Sequence, residues 1–197
     1  MGVSLTKGQK ISLSKDGGGS LSRVFMGLGW DVAKKKGGGF LKGLLGGGGG
    51  EIDLDASCLA FSESGDLLDA IWFRQLQGLN GVIRHSGDNR TGEGEGDDET
   101  IHVDLSRLPA NVKALVFTVN SFLGQTFEQV ANAYCRVVDE TNGKELARFD
   151  LSESGPHTGM VMAKIYRHND EWKLHAIGEK TNGKTFNDMA PQINAAL

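Results

Sequence analysis

Apolar and polar residues alternate in short runs along most of the chain. Ile52, Leu54, Ala56, Cys58 and Ala60 interleave with Asp53, Asp55 and Ser57, a period of two that predicts a half-buried strand. The same patterning predicts strands over Leu67–Phe73, Gly81–His85, Thr100–Leu105, Ala114–Val119, Ala133–Val138, Leu146–Leu151, Met160–Arg167 and Trp172–Gly178. Turn residues separate them. Ser64-Gly65-Asp66 follows the first, Asn142-Gly143 marks a hairpin, and His168-Asn169-Asp170 links the last two. Two stretches read as helical: Thr126–Gln129, which offers a capping-box pattern, and Asn187–Ala196, whose period near 3.6 is interrupted early by Pro191. Many short strands with one or two short helices predict an all-β, two-sheet β-sandwich.

Composition refines that picture. Of 29 glycines in 197 residues, nine lie between Gly37 and Gly50, behind Lys34-Lys-Lys36 and interspersed with Phe40, Leu41, Leu44 and Leu45. Such a segment gives little to a core, so residues 34–50 are expected to be a flexible insert within a single domain spanning 1–197. Gly46–Gly50 is followed by Glu51 with no Lys-Ser/Thr, which excludes a P-loop. Hydrophobic residues make up 39% and charged residues 23%, proportions of a globular chain. No apolar run reaches the roughly 18 residues of a membrane span. Residues 1–5 lack a charged start followed by an apolar stretch, so no signal peptide is expected and the location is read as cytoplasmic. Cys58 and Cys135 stand far apart and read as reduced core thiols. A net charge of −4 without a basic stripe argues against nucleic acid as a partner.

Charge is concentrated in one place. Asp88 to Glu99 carries six acids and one arginine, a local charge of −5, with acids alternating with glycine before Asp97-Asp98-Glu99. Crowded carboxylates repel unless a cation sits among them, and oxygen-only ligands on a flexible backbone suit Ca²⁺ better than Mg²⁺. The EF-hand pattern fails, because its third, fifth and sixth positions hold Arg90, Gly92 and Glu93. Asp53 and Asp55 form a second contribution. Residues i and i+2 of a strand share a face about 6.5–7 Å apart. With Ile52, Leu54 and Ala56 facing the core, both carboxylates are expected to point outward together, spaced for one ion or two adjacent ions.

At these residues the sequence resembles the TerD-type tellurium-resistance and stress-response family. Gly87 to Glu99 matches its Gly-Asp-Asn-x-Thr-Gly-x-Gly-x-Gly-Asp-Asp-Glu signature at every fixed position. Further matches fall at Gly27-Leu-Gly-Trp-Asp31, Ile52-Asp-Leu-Asp-Ala-Ser57, Phe127–Ala133, Ala147-Arg-Phe-Asp-Leu151, Tyr166-Arg-His-Asn169 and Glu171-Trp-Lys173. The insert at 34–50 departs from the family. The resemblance implies a two-sheet β-sandwich that binds calcium, commonly two ions, and to which no enzymatic activity is attributed. By motif it implies Asp88, Asn89, Asp97, Asp98 and Glu99 as ligands, carbonyls near Gly92 and Gly94, then Asp53 and Asp55, with Asp31 as a further ligand. It also implies action in tellurite, chemical and phage stress beside other stress-response proteins, some of them membrane-associated.

The leading expectation is therefore a non-catalytic calcium-binding module whose ion orders the acidic loop for a partner. Calcium-dependent attachment to an anionic membrane is the alternative, aided by the Lys/Gly/Leu insert and placing the chain at the membrane's inner face. A metal-dependent hydrolase ranks lower, because His85 and His102 would have to activate water without a Ser-His-Asp or His-Asp two-metal signature. Tellurite reduction by Cys58 and Cys135 ranks last, since Cys58 falls on the inward side of its strand.

Overall fold

A computed structural model describes residues 2–14, 19–33, 52–91, 96–151, 155–169 and 171–197. The predicted insert at 34–50 and the Gly92 and Gly94 carbonyls lie outside the described residues. Among the described residues thirteen strands form in chain order: β1 (Val3–Leu5), β2 (Lys10–Leu13), β3 (Arg23–Val32), β4 (Leu54–Phe61), β5 (Leu67–Ile71), β6 (Gln77–Gly78), β7 (Ile83–His85), β8 (Glu99–Asp104), β9 (Ala114–Ser121), β10 (Val130–Asp139), β11 (Lys144–Asp150), β12 (Gly159–His168) and β13 (Glu171–Thr181). A short helix, α1 (Ala190–Ala195), follows a 3₁₀ turn over Phe186–Met189.

The strands build two packed sheets. The first runs β1-β11-β10-β3-β8-β7-β6 and the second β2-β13-β12-β9-β4-β5. All pairings are antiparallel except β1 with β11. The chain changes sheet at both sides of the sandwich, from β1 to β2 on one and from β5 to β6 on the other. Between the sheets lies a continuous core that includes Met26, Leu28, Leu54, Phe117, Met162 and Ile165.

Nine predicted strands form. The unpredicted β3 alternates buried Val24, Met26, Leu28 and Trp30 with residues of the outer face, a period-two pattern masked by Gly27 and Gly29. Thr126–Gln129 yields only a single 3₁₀ turn over Phe127–Gln129, without a side-chain cap on Thr126, before the chain extends as β10. Pro191 stands in the first turn of α1 instead of breaking it, because a first-turn residue needs no N–H partner.

One expectation fails: β4 is not half-buried. Every residue from Leu54 to Phe61 is buried, Asp55 with them, and Asp53 just before the strand is 6% exposed. The outer face of the second sheet carries a smaller core, where Leu59, Phe61, Val116 and Val161 pack under Phe186, Met189 and Ile193. That closing segment is fixed by Asp188, whose carboxylate accepts the N–H groups of Lys184 and Thr185. It reaches the acidic end as well, since Asn120 donates to both Asp55 Oδ2 and the Lys184 carbonyl. Both faces of β4 are thus covered, and the polar positions of its alternation, Asp53, Asp55 and Ser57, are buried beneath this second layer instead of facing outward.

Candidate metal centre

The acidic residues gather at the end of the sandwich where β4 and β8 begin and β3 and β9 finish. β5 ends opposite Cys58, so the Ala56 N–H and C=O have no strand beyond it. Two groups from the first sheet take them. Glu99 Oε2 accepts the Ala56 N–H at 2.8 Å, and His85 Nε2 lies 3.1 Å from the Ala56 oxygen. Because the Gly87 N–H donates to His85 Nδ1, the ring proton sits on Nε2 and donates to Ala56. This buried ring, with Nε2 also 3.4 Å from Glu99, seals the two sheets together below the acidic loop.

From that floor the described residues on either side of 92–95 are bonded to one another and to β3. Glu99 Oε1 accepts the Asn89 N–H, and the Asn89 side-chain amide donates to Asp98 Oδ1. Asp98 Oδ2 accepts the Trp30 N–H, while the Trp30 indole donates to the Ile52 carbonyl. These bonds tie the loop's two ends to β3 and to the entry of β4. The result is a group of three carboxylates, Asp53, Asp55 and Asp88, each offering one oxygen within 4.8 Å of the others. Asp53 and Asp55 are buried and Asp88 is exposed, so the group has a floor and an opening.

The electrostatics of the group is set by crowding. Burial, reinforced by Asp53, Glu99 and Asp88, pushes the Asp55 carboxyl up to about 8, against a weaker opposing hydrogen bond from the Phe122 backbone. Burial likewise raises Asp98, with Asp31, Asp97 and Glu99 adding to it. A divalent cation reverses this cost by neutralising the carboxylates. The donor set fits a hard ion: it is all oxygen, and two oxygens on opposite sides of a calcium stand about 4.6–5.2 Å apart, twice the usual Ca–O distance.

The remaining sequence-derived ligands lie around this group in different roles. Asp97 turns to the outer face of the first sheet, paired with Arg136 and accepting from the Tyr134 hydroxyl. Asp31 is exposed and accepts from the Asn132 side chain at 2.7 Å. Asn89 braces the loop internally, its oxygen accepting the Thr91 N–H. Glu99 is spent on two backbone N–H groups, and Asp98 bonds Trp30 and Asn89.

Sequence reasoning missed Tyr134, Arg136 and Asn120. Their signal lies in register: Tyr134 stands opposite Gly29 and Arg136 opposite Gly27. A Cβ on Gly29 would approach the Tyr134 ring to 2.5 Å, and one on Gly27 would collide with the Asp97 carboxylate. The two glycines of Gly27-Leu-Gly-Trp-Asp31 thus clear the sheet surface against which Asp97 and the Tyr134 ring lie. His102 likewise has both ring nitrogens engaged, Nδ1 with Glu140 at 2.7 Å and Nε2 with the Thr100 hydroxyl.

Comparison with known proteins identifies the family and the fold. Residues 1–192 match the model of the TerD domain. The chain is 54% identical over 195 residues to the tellurium resistance protein TerZ of Serratia marcescens, covering 99% of this chain and 98% of that one. It is 44% identical to the stress response protein SCP2 of Bacillus subtilis (strain 168), covering 96% and 98% of the two chains. The crystal structure of a homologue of the telluride resistance protein TerD from Streptomyces coelicolor A3(2) superposes with a TM-score of 0.70, covering 90% of this chain and all of the other. At 19% identity, that likeness supports the fold alone.

Proposed function

This chain belongs to the TerD family, and we propose that it is a non-catalytic calcium-binding module of a tellurium- and chemical-stress response. The observation that carries the reading is the convergence of Asp53, Asp55 and Asp88 on one point at the mouth of a braced loop. These three residues would hold the ion, and a second one would fall to Asp98, Asn89 and Asp31, where Asp98 accepts from the Asn89 amide and feels the Asp31 charge. Calcium supplies two positive charges where the chain has buried negative ones. The chain's own residues do the rest: Glu99 and His85 fix the floor, and Arg136 and Tyr134 hold Gly96 and Asp97 against β10. Loop order is thereby linked to the ion, which offers a partner protein a surface that depends on calcium.

A hydrolytic role is less well supported. Both histidines near the loop use each ring nitrogen for a neighbouring group and neither is poised as a base. The names of the relatives, which speak of tellurium resistance and stress response, support the biological setting. No helix of the described residues is long and apolar enough to cross a membrane.

One observation favours a second reading, calcium-dependent attachment to anionic lipid. Phe122, whose backbone bonds Asp55, and exposed Leu123 adjoin a cluster in which Arg74 lies 5.2–5.8 Å from the rings of Phe73, Trp72 and Phe122. Aromatic and cationic groups beside an ion suit an interfacial surface.

Thermal unfolding in the presence and absence of calcium tests the main reading. At a hundredfold excess over the dissociation constant, calcium adds about 2.7 kcal/mol, or ~5–10 °C for a chain of this size. An unchanged melting temperature at millimolar calcium removes it. Co-sedimentation with phosphatidylserine vesicles, with and without chelator, tests the second reading; equal binding in both rejects calcium bridging.

A further inference from the structure

Two short turns at the acidic end gather aromatic rings around one guanidinium. In the turn that joins β5 to β6, the Trp72 N–H donates to the Gln75 carbonyl at 3.1 Å and the Gln75 N–H donates back to the Trp72 carbonyl at 2.8 Å. Phe73 and Arg74 therefore form its tip. Its base is locked from two sides. Asp69 accepts the Gln75 side-chain amide and the Leu79 N–H, each at 2.7 Å, and the Trp72 ring stands edge-on to Phe186 of the second core. The other turn leaves β9, where Ser121 accepts the Gln125 N–H on its hydroxyl and the Gly124 N–H on its carbonyl. It sets the Phe122 ring edge-on to Phe73 at 5.5 Å.

Arg74 is exposed, and its guanidinium lies 5.2–5.8 Å from the centres of the Trp72, Phe73 and Phe122 rings. Its contacts among the described residues are these rings and no carboxylate. The planar fork is thus oriented by its neighbours while its N–H donors remain open to a planar anion. Leu76 and Leu123, on the same two turns, are 42% and 56% exposed. Tryptophan, phenylalanine and arginine are enriched at protein–protein contacts, and rigid turns present them without a cost in ordering.

We propose that this patch docks an acidic, apolar segment of a partner protein, its carboxylate on the Arg74 fork and a neighbouring aliphatic or aromatic side chain over Phe73, Phe122 and Leu123, and that calcium permits the contact. The calcium dependence rests on the metal-binding reading above; the contact itself does not. Leu54 stands opposite Ser121 and the Phe122 backbone bonds the Asp55 carboxyl, so the patch borders the three-carboxylate group. Without an ion those carboxylates repel an approaching acid. Bound calcium removes the repulsion and leaves Arg74 to attract it. An anionic membrane is the weaker occupant of this patch. Such a surface attracts clusters of basic residues, whereas the rings hold a single cation on a chain of net charge −4.

The test is selection from a random-peptide phage library on the full chain in calcium, on the same chain in chelator, and on Arg74→Gln. Because Arg74 is exposed, this variant should keep the wild-type melting temperature and bind calcium no more weakly. Peptides enriched on wild type in calcium should join Asp or Glu to an adjacent aliphatic or aromatic residue. A synthetic copy of the most enriched peptide should lose about tenfold or more in affinity on Arg74→Gln and in chelator, and severalfold on Leu123→Ser. No enrichment, enrichment of basic peptides, or equal affinity for Arg74→Gln overturns the docking surface. Equal affinity in chelator overturns its calcium dependence. Phosphatidylserine vesicles that sediment with wild type and not with Arg74→Gln, where no peptide is selected, overturn the protein partner in favour of a membrane. Calcium calorimetry on the same samples keeps the two claims apart: binding heat with no peptide selected overturns the surface alone, whereas absence of heat removes the metal-binding reading itself.

Discussion

Arg136 on β10 clasps Asp97 in a two-pronged pair, Nε to Oδ1 at 2.8 Å and Nη2 to Oδ2 at 2.9 Å. The aspartate side chain is nearly buried, and the same guanidinium reaches Glu145. This contact anchors the acidic loop to a strand that contributes nothing to the three-carboxylate group. Arg136→Met should therefore destabilise the protein by about 2 kcal/mol, since it strands a desolvated carboxylate. It should also weaken calcium, because the loop loses its anchor. Chemical denaturation in chelator and calcium titration read the two effects separately.

Gly29 and Tyr134 form a matched pair across β3 and β10. Gly29→Ala places a methyl group against the phenol ring and should cost about 1–3 kcal/mol as an overpacking change. Tyr134→Gly in the same chain should recover part of that loss, although the single Tyr134 change is itself destabilising. A double-mutant cycle by urea denaturation gives the coupling, and strict additivity would show that the ring does not occupy the glycine's space.

Asp55 contributes a pH response to the metal-free protein. Its folded carboxyl titrates at about 8, whereas an unperturbed one titrates at 3.8, so the native state holds a proton that the unfolded chain releases. The associated stability is complete below the unfolded value and is lost as pH rises toward 8. In chelator, wild type should therefore lose stability relative to Asp55→Asn between about pH 4 and pH 8. Parallel stability–pH curves for the two proteins would contradict this origin.

The two cysteines should be chemically silent in the native state. Both are free and buried; burial pushes Cys135 up to about 12 and Cys58 higher still. Labelling by a disulfide reagent at neutral pH should follow unfolding, and Cys58→Ser with Cys135→Ser should leave stress resistance intact wherever the protein still folds. Rapid native-state labelling would restore thiol chemistry to consideration.

The fold was readable wherever alternation was unbroken. The hairpin at Asn142-Gly143, the Met160–Arg167 and Trp172–Gly178 strands and the inward Cys58 follow directly from period-two patterning and turn chemistry. β3 escaped because Gly27 and Gly29 look like turn residues, while their function is to clear space for Asp97 and Tyr134 from other parts of the chain. β1 and β2 are too short to show a period and gain their stability from edge pairing. The acidic loop was legible from its charge density. Its division of labour was not, because the spacing of Asp97, Asp98 and Glu99 is silent about Arg136, Trp30 and Ala56, which claim those carboxylates across the sandwich. The burial of Asp53 and Asp55 was hidden for a related reason, since Phe186, Met189 and Ile193 cover their sheet from far along the sequence.

Calorimetric titration of calcium into chelator-treated protein, beside Asp53→Asn and Asp88→Asn, tests the central claim most directly. Wild type should bind saturably, and each variant should bind at least tenfold more weakly, about 1.4 kcal/mol. The same variants, relieved of like-charge repulsion, should match or exceed the wild-type melting temperature in chelator. No binding heat from wild type at millimolar calcium, or undiminished affinity in Asp88→Asn, would contradict the assignment of Asp53, Asp55 and Asp88 as the calcium centre.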